Sequence, residues 1–280
     1  MFIIGLGNGG IRIAEEFQSY PQYEVFKIGT DLQKDEKSWQ LPNYKTPEQY
    51  EEKCPDLSKF FKPIKDEVLF IMVGGGNITG ASLAILQQLK DCQINILYVR
   101  PDLNLLSHKK QLQERITFNV FQEYARSGLF NKLYIVDNVV MEKVVGDTTI
   151  SMYHKKLNLL ISSTIHMINV CKNSDPVILT DPEESAITRI STIGQSDPTT
   201  GKETLFYNLS NITNKFYYFS ISKTVLEKDE KLLTKIKNQV KEKLVDSLNG
   251  GFGVYENEWK QNYTYIEAST HIIQNNDSDT

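Results

Sequence analysis

Short apolar runs alternate with helical patterns along the first half of the chain. The run Val68–Val73 is apolar at every position, as expected for a strand that is buried on both faces. Ala81–Leu89 follows it with apolar residues at helical spacing. The same patterns predict strands at Phe2–Ile4, Glu24–Ile28, Asn95–Val99 and Leu133–Val136, and a helix at Lys109–Ser127. This alternation predicts an α/β domain over residues 1–149 with a doubly wound, mostly parallel sheet.

The pattern changes in the second half. Residues 150–172 form one long helical pattern that is apolar on most sides from Leu157, so we expect a buried connecting helix. Residues 173–273 predict a smaller α+β domain with a mixed or antiparallel sheet, and 274–280 a disordered polar tail. The predicted elements of this domain are helices from Pro182 to about Ile193 and from Glu230 to Leu248, and strands at 205–207, 216–222, 254–255 and 263–268.

The stretch between the second and third predicted strands lacks a clear pattern. Residues 35–65 are polar and contain four prolines, Pro42, Pro47, Pro55 and Pro63. Proline removes a backbone donor and disfavours regular structure. We interpret this stretch as a long connection with one short helix near residues 47–54.

Composition and charge narrow the function classes. The chain has 280 residues and a net charge of −4, which argues against a nucleic-acid-binding protein that works through bulk positive charge. The three cysteines are far apart and show no metal-binding spacing, which is typical of free thiols in a reducing compartment. The chain begins with a strand pattern, and its longest apolar segment, residues 157–170, is too short to cross a bilayer. We expect a cytoplasmic protein that does not insert into a membrane.

Two glycine-rich turns link a predicted strand to a predicted helix. Gly5–Gly10 has the Gly-x-Gly-x-x-Gly spacing, and Gly74–Gly80 follows the strongest apolar run. Such turns let backbone N–H groups approach an anion, and a helix N-terminus adds its positive dipole end. A turn at such a junction can also be purely structural, and both interpretations stay open at this point.

The ligand that these turns would hold has two alternatives. Asp31 follows the second strand, where a dinucleotide-binding enzyme places the acidic residue that holds ribose hydroxyls, so an NAD-dependent enzyme is one alternative. However, a dinucleotide needs one glycine loop under one pyrophosphate. Here two such loops open onto the same sheet edge, which favours a mononucleotide with a polyphosphate tail.

In chain order these parts resemble the tubulin/FtsZ family of polymerising GTPases, of which this chain would be a compact and divergent member similar to phage- or plasmid-encoded proteins. Gly74–Gly80 is similar to the phosphate signature of that family, Gly-Gly-Gly-Thr-Gly-(Ser/Thr)-Gly. The other matching segments are Gly5–Gly10, Thr30–Gln33, Tyr98–Pro101, Val136–Asn138, the helix at 150–172, and Asp181 with Glu184.

The resemblance implies a site and an assembly. GTP or GDP, with Mg²⁺ held mainly through the phosphates, would lie on the two glycine loops, and Asn138 would lie near the base. Subunits would stack head to tail into a homopolymer, and the next subunit would present Asp181 and Glu184 as catalytic carboxylates that orient the attacking water. The implied nucleotide-binding residues are Gly5, Gly7, Asn8, Gly9, Gly10, Thr30, Asp31, Gln33, Gly74, Gly75, Gly76, Asn77, Ile78, Thr79, Gly80, Arg100, Pro101 and Asn138.

Two departures from the family pattern keep a second function open. Ile78 stands where the signature has glycine, so we expect a loop of different shape, since a β-branched residue does not tolerate positive φ. The glycine-rich loop that the family has after its third strand has no counterpart between Trp39 and Lys65. A structural or binding protein that keeps the fold without hydrolysis is therefore the alternative. In that case, Asp181 and Glu184 would stabilise the first turn of a helix.

Overall fold

The chain forms two compact units. A computed structural model describes residues 1–33, 35–180, 187–198, 200–244 and 249–275. The first unit comprises Met1–Ser162 and Ile273–Thr280, and the second comprises Ser163–Ile272. The boundary lies within one long helix, Ile150–Lys172, whose bounds equal the predicted ones.

The first unit alternates strands and helices. Its strands are β1 (Phe2–Leu6), β2 (Glu24–Gly29), β3 (Ser38–Gln40), β4 (Glu67–Val73), β5 (Gln93–Arg100) and β6 (Lys132–Asp137). Its helices are α1 (Gly7–Glu16), α2 (Pro47–Glu52), α3 (Ser82–Gln87), α4 (His108–Arg126), α5 (Asn138–Val145) and the first part of α6 (Ile150–Lys172). Short 3₁₀ turns cover Phe17–Ser19, Asn77–Ala81 and Leu103–Leu105.

The sheet of the first unit is parallel throughout. Its strand order is β3-β2-β1-β4-β5-β6, and each neighbouring pair is parallel. The direction in which strands are added reverses between β1 and β4. The strands β2 and β3 lie on one side of β1, and β4, β5 and β6 lie on its other side. In such sheets, ligands bind in the crevice at this reversal, outside the carboxyl ends of the strands. The predicted α/β fold with a mostly parallel sheet is confirmed for this unit.

Helix α1 packs directly on the strand backbone at the reversal. A Cβ atom added at Gly10 would lie 2.4 Å from the carbonyl oxygen of Ile71 in β4, and one added at Gly5 would lie 2.8 Å from the oxygen of Gly10. Backbone atoms cannot move aside as a flexible side chain can, so only glycine allows this approach. The Gly-x-Gly-x-x-Gly spacing therefore has a packing role at its first and last positions.

The second unit is α+β, and its sheet is mixed. Its strands are β7 (Ile178–Leu179), β8 (Ile190–Ser196), β9 (Glu203–Leu205), β10 (Asn214–Ser222), β11 (Asn249–Asn257) and β12 (Tyr263–Thr270), and its further helices are α7 (Lys223–Lys228) and α8 (Leu232–Lys243). The order is β8-β12-β10-β11-β7, with β9 paired to β8. The pair β10–β11 is parallel and the other pairs are antiparallel. The sheet is therefore mixed, as predicted. Ile236 and Val240 of α8 pack on buried residues of β10 and β11.

Several elements differ from their predicted assignments. The first part of the helix predicted from Pro182 to about Ile193 lies outside the described residues. Its C-terminal end is wrong, because Ile190–Ser196 forms β8, and most residues of this strand are buried between β12 and β9. Pairing on both sides outweighs the weak helical pattern there. The segment assigned to a connection contains β3 as well as the expected short helix. Gln274, at the start of the predicted tail, is buried and exchanges two hydrogen bonds with Gln122 of α4.

Two other sequence expectations concern thiols and membranes. Cys54, Cys92 and Cys171 are free, as predicted. Across the residues that the structure describes, no helix combines the length and hydropathy of a membrane span.

The contact between α1 and β4 leads to a stability prediction. Gly10→Ala should lower the free energy of unfolding by roughly 1–3 kcal/mol, because the added methyl group overlaps a backbone oxygen. Gly76→Ala is the matched control, since its added Cβ would lie 3.9 Å from the nearest atom and its φ is −88°. We expect the control to change stability by at most about 0.5 kcal/mol. Urea unfolding measures both variants, and equal effects would contradict the packing role of Gly10.

Candidate functional site

A cavity of about 380 Å³ opens at the reversal of strand order in the first unit. This volume lies within the range that is usual for small-ligand sites. Residues from both glycine loops line it, together with residues outside the predicted site. The lining residues are Leu6, Gly7, Asn8, Gly9, Thr30, Asn43, Tyr44, Tyr50, Val73, Gly74, Gly76, Asn77, Ile78 and Lys110.

The first turn of α1 faces this cavity. The helix begins at Gly7, directly after β1, and its N-cap residue is Leu6, whose side chain cannot accept a hydrogen bond. In α1, which is described in full, the first turn carries no acidic residue. The first N–H groups of a helix lack partners within the helix and carry its positive dipole end. The cavity is therefore bordered by uncapped backbone donors, which suit an anion.

The second glycine loop divides into two parts with different roles. Gly75 has a φ of +78°, which makes the turn after β4, and the N–H of Gly74 donates to Val99 O at 2.9 Å. Within the described part of the chain, the N–H groups of Gly75 and Gly76 donate to no protein acceptor. The part of the loop that can offer donors to a ligand is therefore short.

The second part of the loop, Asn77–Ala81, is a 3₁₀ turn. Ile78 lies in this turn, and it is not among the described non-glycine residues with positive φ, which are Asp66 and Asn211. The positive φ of the turn is at Gly75, so the loop accommodates Ile78 without the strain that a glycine position would impose. The hydroxyl of Thr79 donates to Gly76 O at 2.7 Å, so it stabilises the turn itself.

The start of α2 packs on this 3₁₀ turn and supplies residues to the cavity. A Cβ added at Gly80 would lie 2.1 Å from Pro47 O, so glycine at position 80 permits the close approach of α2. Asn77 Nδ2 donates to Lys45 O at 2.7 Å. The backbone N–H of Tyr44 donates to the hydroxyl of Tyr50 at 3.1 Å, and the two rings meet edge to face with centroids 5.1 Å apart.

Asn43, Tyr44 and Tyr50 are not among the predicted site residues, because the sequence pattern of residues 35–65 predicts a connection. A partial signal was present: Thr46 precedes Pro47 and lies three residues before Gln49, which predicts the start of a helix. The Thr46 side chain does accept a hydrogen bond from the Gln49 N–H. However, the sequence does not indicate that this helix start lies against the glycine loop.

Lys110 supplies positive charge to the cavity. It lies in the first turn of α4 and is exposed. The described residues that line the cavity include this ammonium group and no carboxylate. A group of His, Cys, Asp or Glu side chains that could hold a metal ion is absent from the described residues. The cavity therefore suits a negatively charged ligand.

Other residues implied by the resemblance do not line the cavity. Asp31 and Gln33 are exposed, and the Thr30 hydroxyl, which belongs to the lining, donates to Asp31 Oδ2 at 3.4 Å. Asn138 is the first residue of α5 and directly follows the N-cap residue Asp137. Gly5, Gly10, Gly75, Thr79, Gly80, Arg100 and Pro101 are likewise absent from the lining. Asp181 and Glu184 lie outside the described residues.

Arg100 belongs to a buried polar cluster, which we define as Tyr98, Arg100 and Glu114. Arg100 is 6 % exposed, and its Nε lies 3.5 Å from Glu114 Oε1. The Tyr98 hydroxyl donates to the same oxygen at 3.4 Å. The guanidinium carbon of Arg100 lies 4.4 Å from the centroid of the Phe118 ring. The Arg100 side chain is therefore held by contacts inside the first unit. These contacts lie behind the second glycine loop, which the resemblance assigns to nucleotide binding.

Burial raises the pKa of Glu114 above its usual value of 4.5. The Arg100 guanidinium and the hydrogen bonds from Arg100 and Tyr98 lower this pKa, whereas the negative charge of Asp137 at the end of β6 raises it. Desolvation is the largest of these effects, so the pKa is raised overall. The same burial raises the pKa of the Tyr98 phenol well above its ordinary range.

Solved structures with the same fold span both units. The GTPγS-form protofilament of TubZ from Bacillus thuringiensis serovar israelensis matches with a TM-score of 0.70 at 15% identity, covering 96% of this chain and 87% of that chain. The FtsZ dimer from M. jannaschii matches with a TM-score of 0.67 at 12% identity, covering 96% and 87%. The GTPγS-bound protofilament of CetZ2 from Haloferax volcanii matches with a TM-score of 0.66 at 12% identity, covering 96% and 92%.

These likenesses establish the fold. The chain has the tubulin/FtsZ fold, and the resemblance drawn from its motifs is confirmed at that level. The sequence itself matches no protein-family model and no curated protein. The strand order β3-β2-β1-β4-β5-β6 also occurs in dinucleotide-binding proteins. The strand order of the first sheet therefore does not distinguish the two fold classes, whereas the structural match over both units does.

The raised pKa of Glu114 predicts how stability depends on pH. As the pH rises through that pKa, the buried carboxyl must ionise in the folded state, so its contribution to stability is lost. Relative to the unchanged protein, Glu114→Gln should therefore gain unfolding free energy as the pH rises above the usual carboxyl pKa of 4.5, by less than about 1.4 kcal/mol per pH unit. Urea unfolding at several pH values measures this. Glu123→Gln, which removes an exposed carboxylate from the same helix, is the control, and parallel pH curves for all three proteins would contradict the prediction.

Proposed function

We propose that this chain binds GTP or GDP in the cavity of its first unit, assembles head to tail into cytoplasmic filaments, and hydrolyses GTP between neighbouring subunits. One observation carries the proposal. The uncapped first turn of α1 and the backbone of Gly76 border one cavity that also contains Lys110 and lacks carboxylates among its described lining residues.

The chemistry of these groups suits a polyphosphate tail. Backbone N–H groups at Gly7, Asn8 and Gly9 would donate to phosphate oxygens, and the helix dipole would favour their negative charge. Lys110 would pair with a phosphate as a mobile point charge. Asn77 holds Lys45 O, so it would fix the position of Tyr44 at the wall of the cavity.

A divalent cation would fit this arrangement only together with the ligand. Mg²⁺ keeps several waters and binds phosphates readily, so it needs few protein ligands. When bound, it would neutralise part of the charge on the phosphates.

The fold supports the assembly part of the proposal. The matched TubZ and CetZ2 structures are protofilaments with GTPγS. By the same arrangement, the cavity would meet the following subunit, and Asp181 and Glu184 of that subunit would orient the attacking water. A heterologous contact of this kind does not close on itself and therefore yields a filament.

A second candidate function rests on Ile78. Its side chain lines the cavity, and its Cγ2 lies 2.8 Å from where a Cβ at Gly7 would be. An apolar side chain therefore occupies the space between the two glycine loops, where it would displace water and polar contacts from a phosphate. This observation favours a structural protein that keeps the fold and self-association without GTP turnover.

Calorimetric titration with GTPγS tests the nucleotide site. The unchanged protein should bind GTPγS, and Lys110→Ala should bind it more weakly on the order of tenfold, because a charge-assisted contact is lost. Lys109→Ala is the matched control, since Lys109 carries the same charge in the same helical turn but does not line the cavity. Absence of binding by the unchanged protein would refute the nucleotide site, and equal losses in the two variants would refute the role of Lys110.

A turnover assay separates the two candidate functions. Asp181→Ala should abolish phosphate release from GTP while GTPγS binding and GTP-dependent light scattering persist, because the carboxylate acts on water and does not hold the nucleotide. Asp175→Ala, which removes an exposed acid before β7, is the control and should keep its activity. Filaments without phosphate release in the unchanged protein would favour the structural alternative. Normal turnover in Asp181→Ala would assign Asp181 to helix capping.

A further inference from the structure

The buried polar cluster lies directly behind the glycine loop. A Cβ added at Gly74 would lie 2.6 Å from the Tyr98 hydroxyl and 3.1 Å from Glu114 Cγ. Gly74 lines the cavity on its other side. The backbone of one residue therefore separates the cluster from the candidate ligand site.

The cluster also connects this loop to the helix that carries Lys110. Tyr98 and Arg100 lie on the same face of β5, two residues apart, whereas Glu114 is in α4, one helical turn after Lys110. Residues four apart on a helix lie on one face, so the position of Glu114 constrains that of Lys110. The same buried contacts therefore constrain the positions of both the loop and the Lys110 ammonium group.

Burial of this cluster is costly, which indicates a specific role. The Glu114 side chain is 0 % exposed, and its Oε2 has no hydrogen-bond partner among the described residues. A buried carboxylate whose second oxygen is unsatisfied destabilises the fold relative to an apolar residue of similar size. Stability alone therefore does not account for a glutamate at this position.

We propose that Tyr98, Arg100 and Glu114 act as positioning residues that hold Gly74 and the Lys110 turn of α4 against each other, and so preset the cavity for a nucleoside polyphosphate. The ligand part of this inference rests on the proposed function. The geometric part does not, because the loop is supported whether or not a nucleotide binds. Neither Arg100 nor Glu114 contacts the ligand in this arrangement, and both act through the loop and the helix.

Two measurements on the full chain test the proposal. Hydrogen exchange of residues 73–78 without nucleotide reports on the loop, and GTPγS calorimetry reports on the site. Glu114→Ala should speed exchange in this segment by about tenfold and weaken GTPγS binding on the order of tenfold, the usual effect of removing a residue that orients a binding group. Glu114→Gln keeps the shape and one acceptor, so it should stay within about threefold of the unchanged protein in both.

Gln122→Ala is the matched control. Gln122 is a fully buried polar residue of the same helix, but it bonds Gln274 and lies two turns beyond Glu114. It should reduce overall stability without changing exchange at 73–78 or GTPγS affinity. If Glu114→Ala does not fold, Tyr98→Phe replaces it, because that change removes the hydroxyl behind Gly74 and keeps the ring.

The outcomes separate this proposal from the proposed function. Faster exchange at 73–78 in Glu114→Ala, without GTPγS binding by any variant, would support the positioning cluster and refute the nucleotide site. Unchanged exchange in Glu114→Ala and in Tyr98→Phe would overturn the cluster's role even if GTPγS binds. Equal effects of Glu114→Ala and Gln122→Ala would also overturn it, because they would reflect general destabilisation.

Discussion

The first unit depends on the direct contact between the α1 backbone and the backbone of β4. Because Gly10 lies against the carbonyl oxygen of Ile71, α1 begins immediately at the end of β1, and its first turn opens at the reversal of strand order. A larger residue would lift the helix from the sheet and move its N-terminal donors away from the second glycine loop. The position of the cavity thus follows from a steric constraint at a residue that does not line it.

The two glycine motifs combine packing and binding roles within a few residues. Gly10 and Gly80 permit close approach of a neighbouring backbone, whereas Gly75 makes the turn and Gly76 faces the cavity. A motif match treats all of these positions as one ligand loop. The structure instead explains why the loop tolerates Ile78, since the positive φ is taken by Gly75 and the following residues form a 3₁₀ turn.

The polar residues at the strand ends also differ in their roles. Arg100 and Asp137 end neighbouring strands at the edge that carries the cavity, yet Arg100 pairs with Glu114 and Asp137 caps α5. Lys110, ten residues after Arg100, is the cation that reaches the cavity. A strand-end position therefore indicates proximity to the site, while packing against α4 decides which side chain faces the ligand.

The sequence by itself determined the buried strands, the long helix, the two glycine turns and hence the fold class, because apolar periodicity and glycine spacing are local properties of the chain. It failed for residues 190–193, where strand pairing outweighed a weak helical pattern, and for β3, which gains its partner only from the sheet. The tertiary structure decided the membership of the site. Asn43, Tyr44 and Tyr50 reach the cavity because α2 packs on Gly80. Arg100 does not line the cavity, because it pairs with the buried Glu114. Such contacts join residues that are distant in the chain, so no local pattern encodes them.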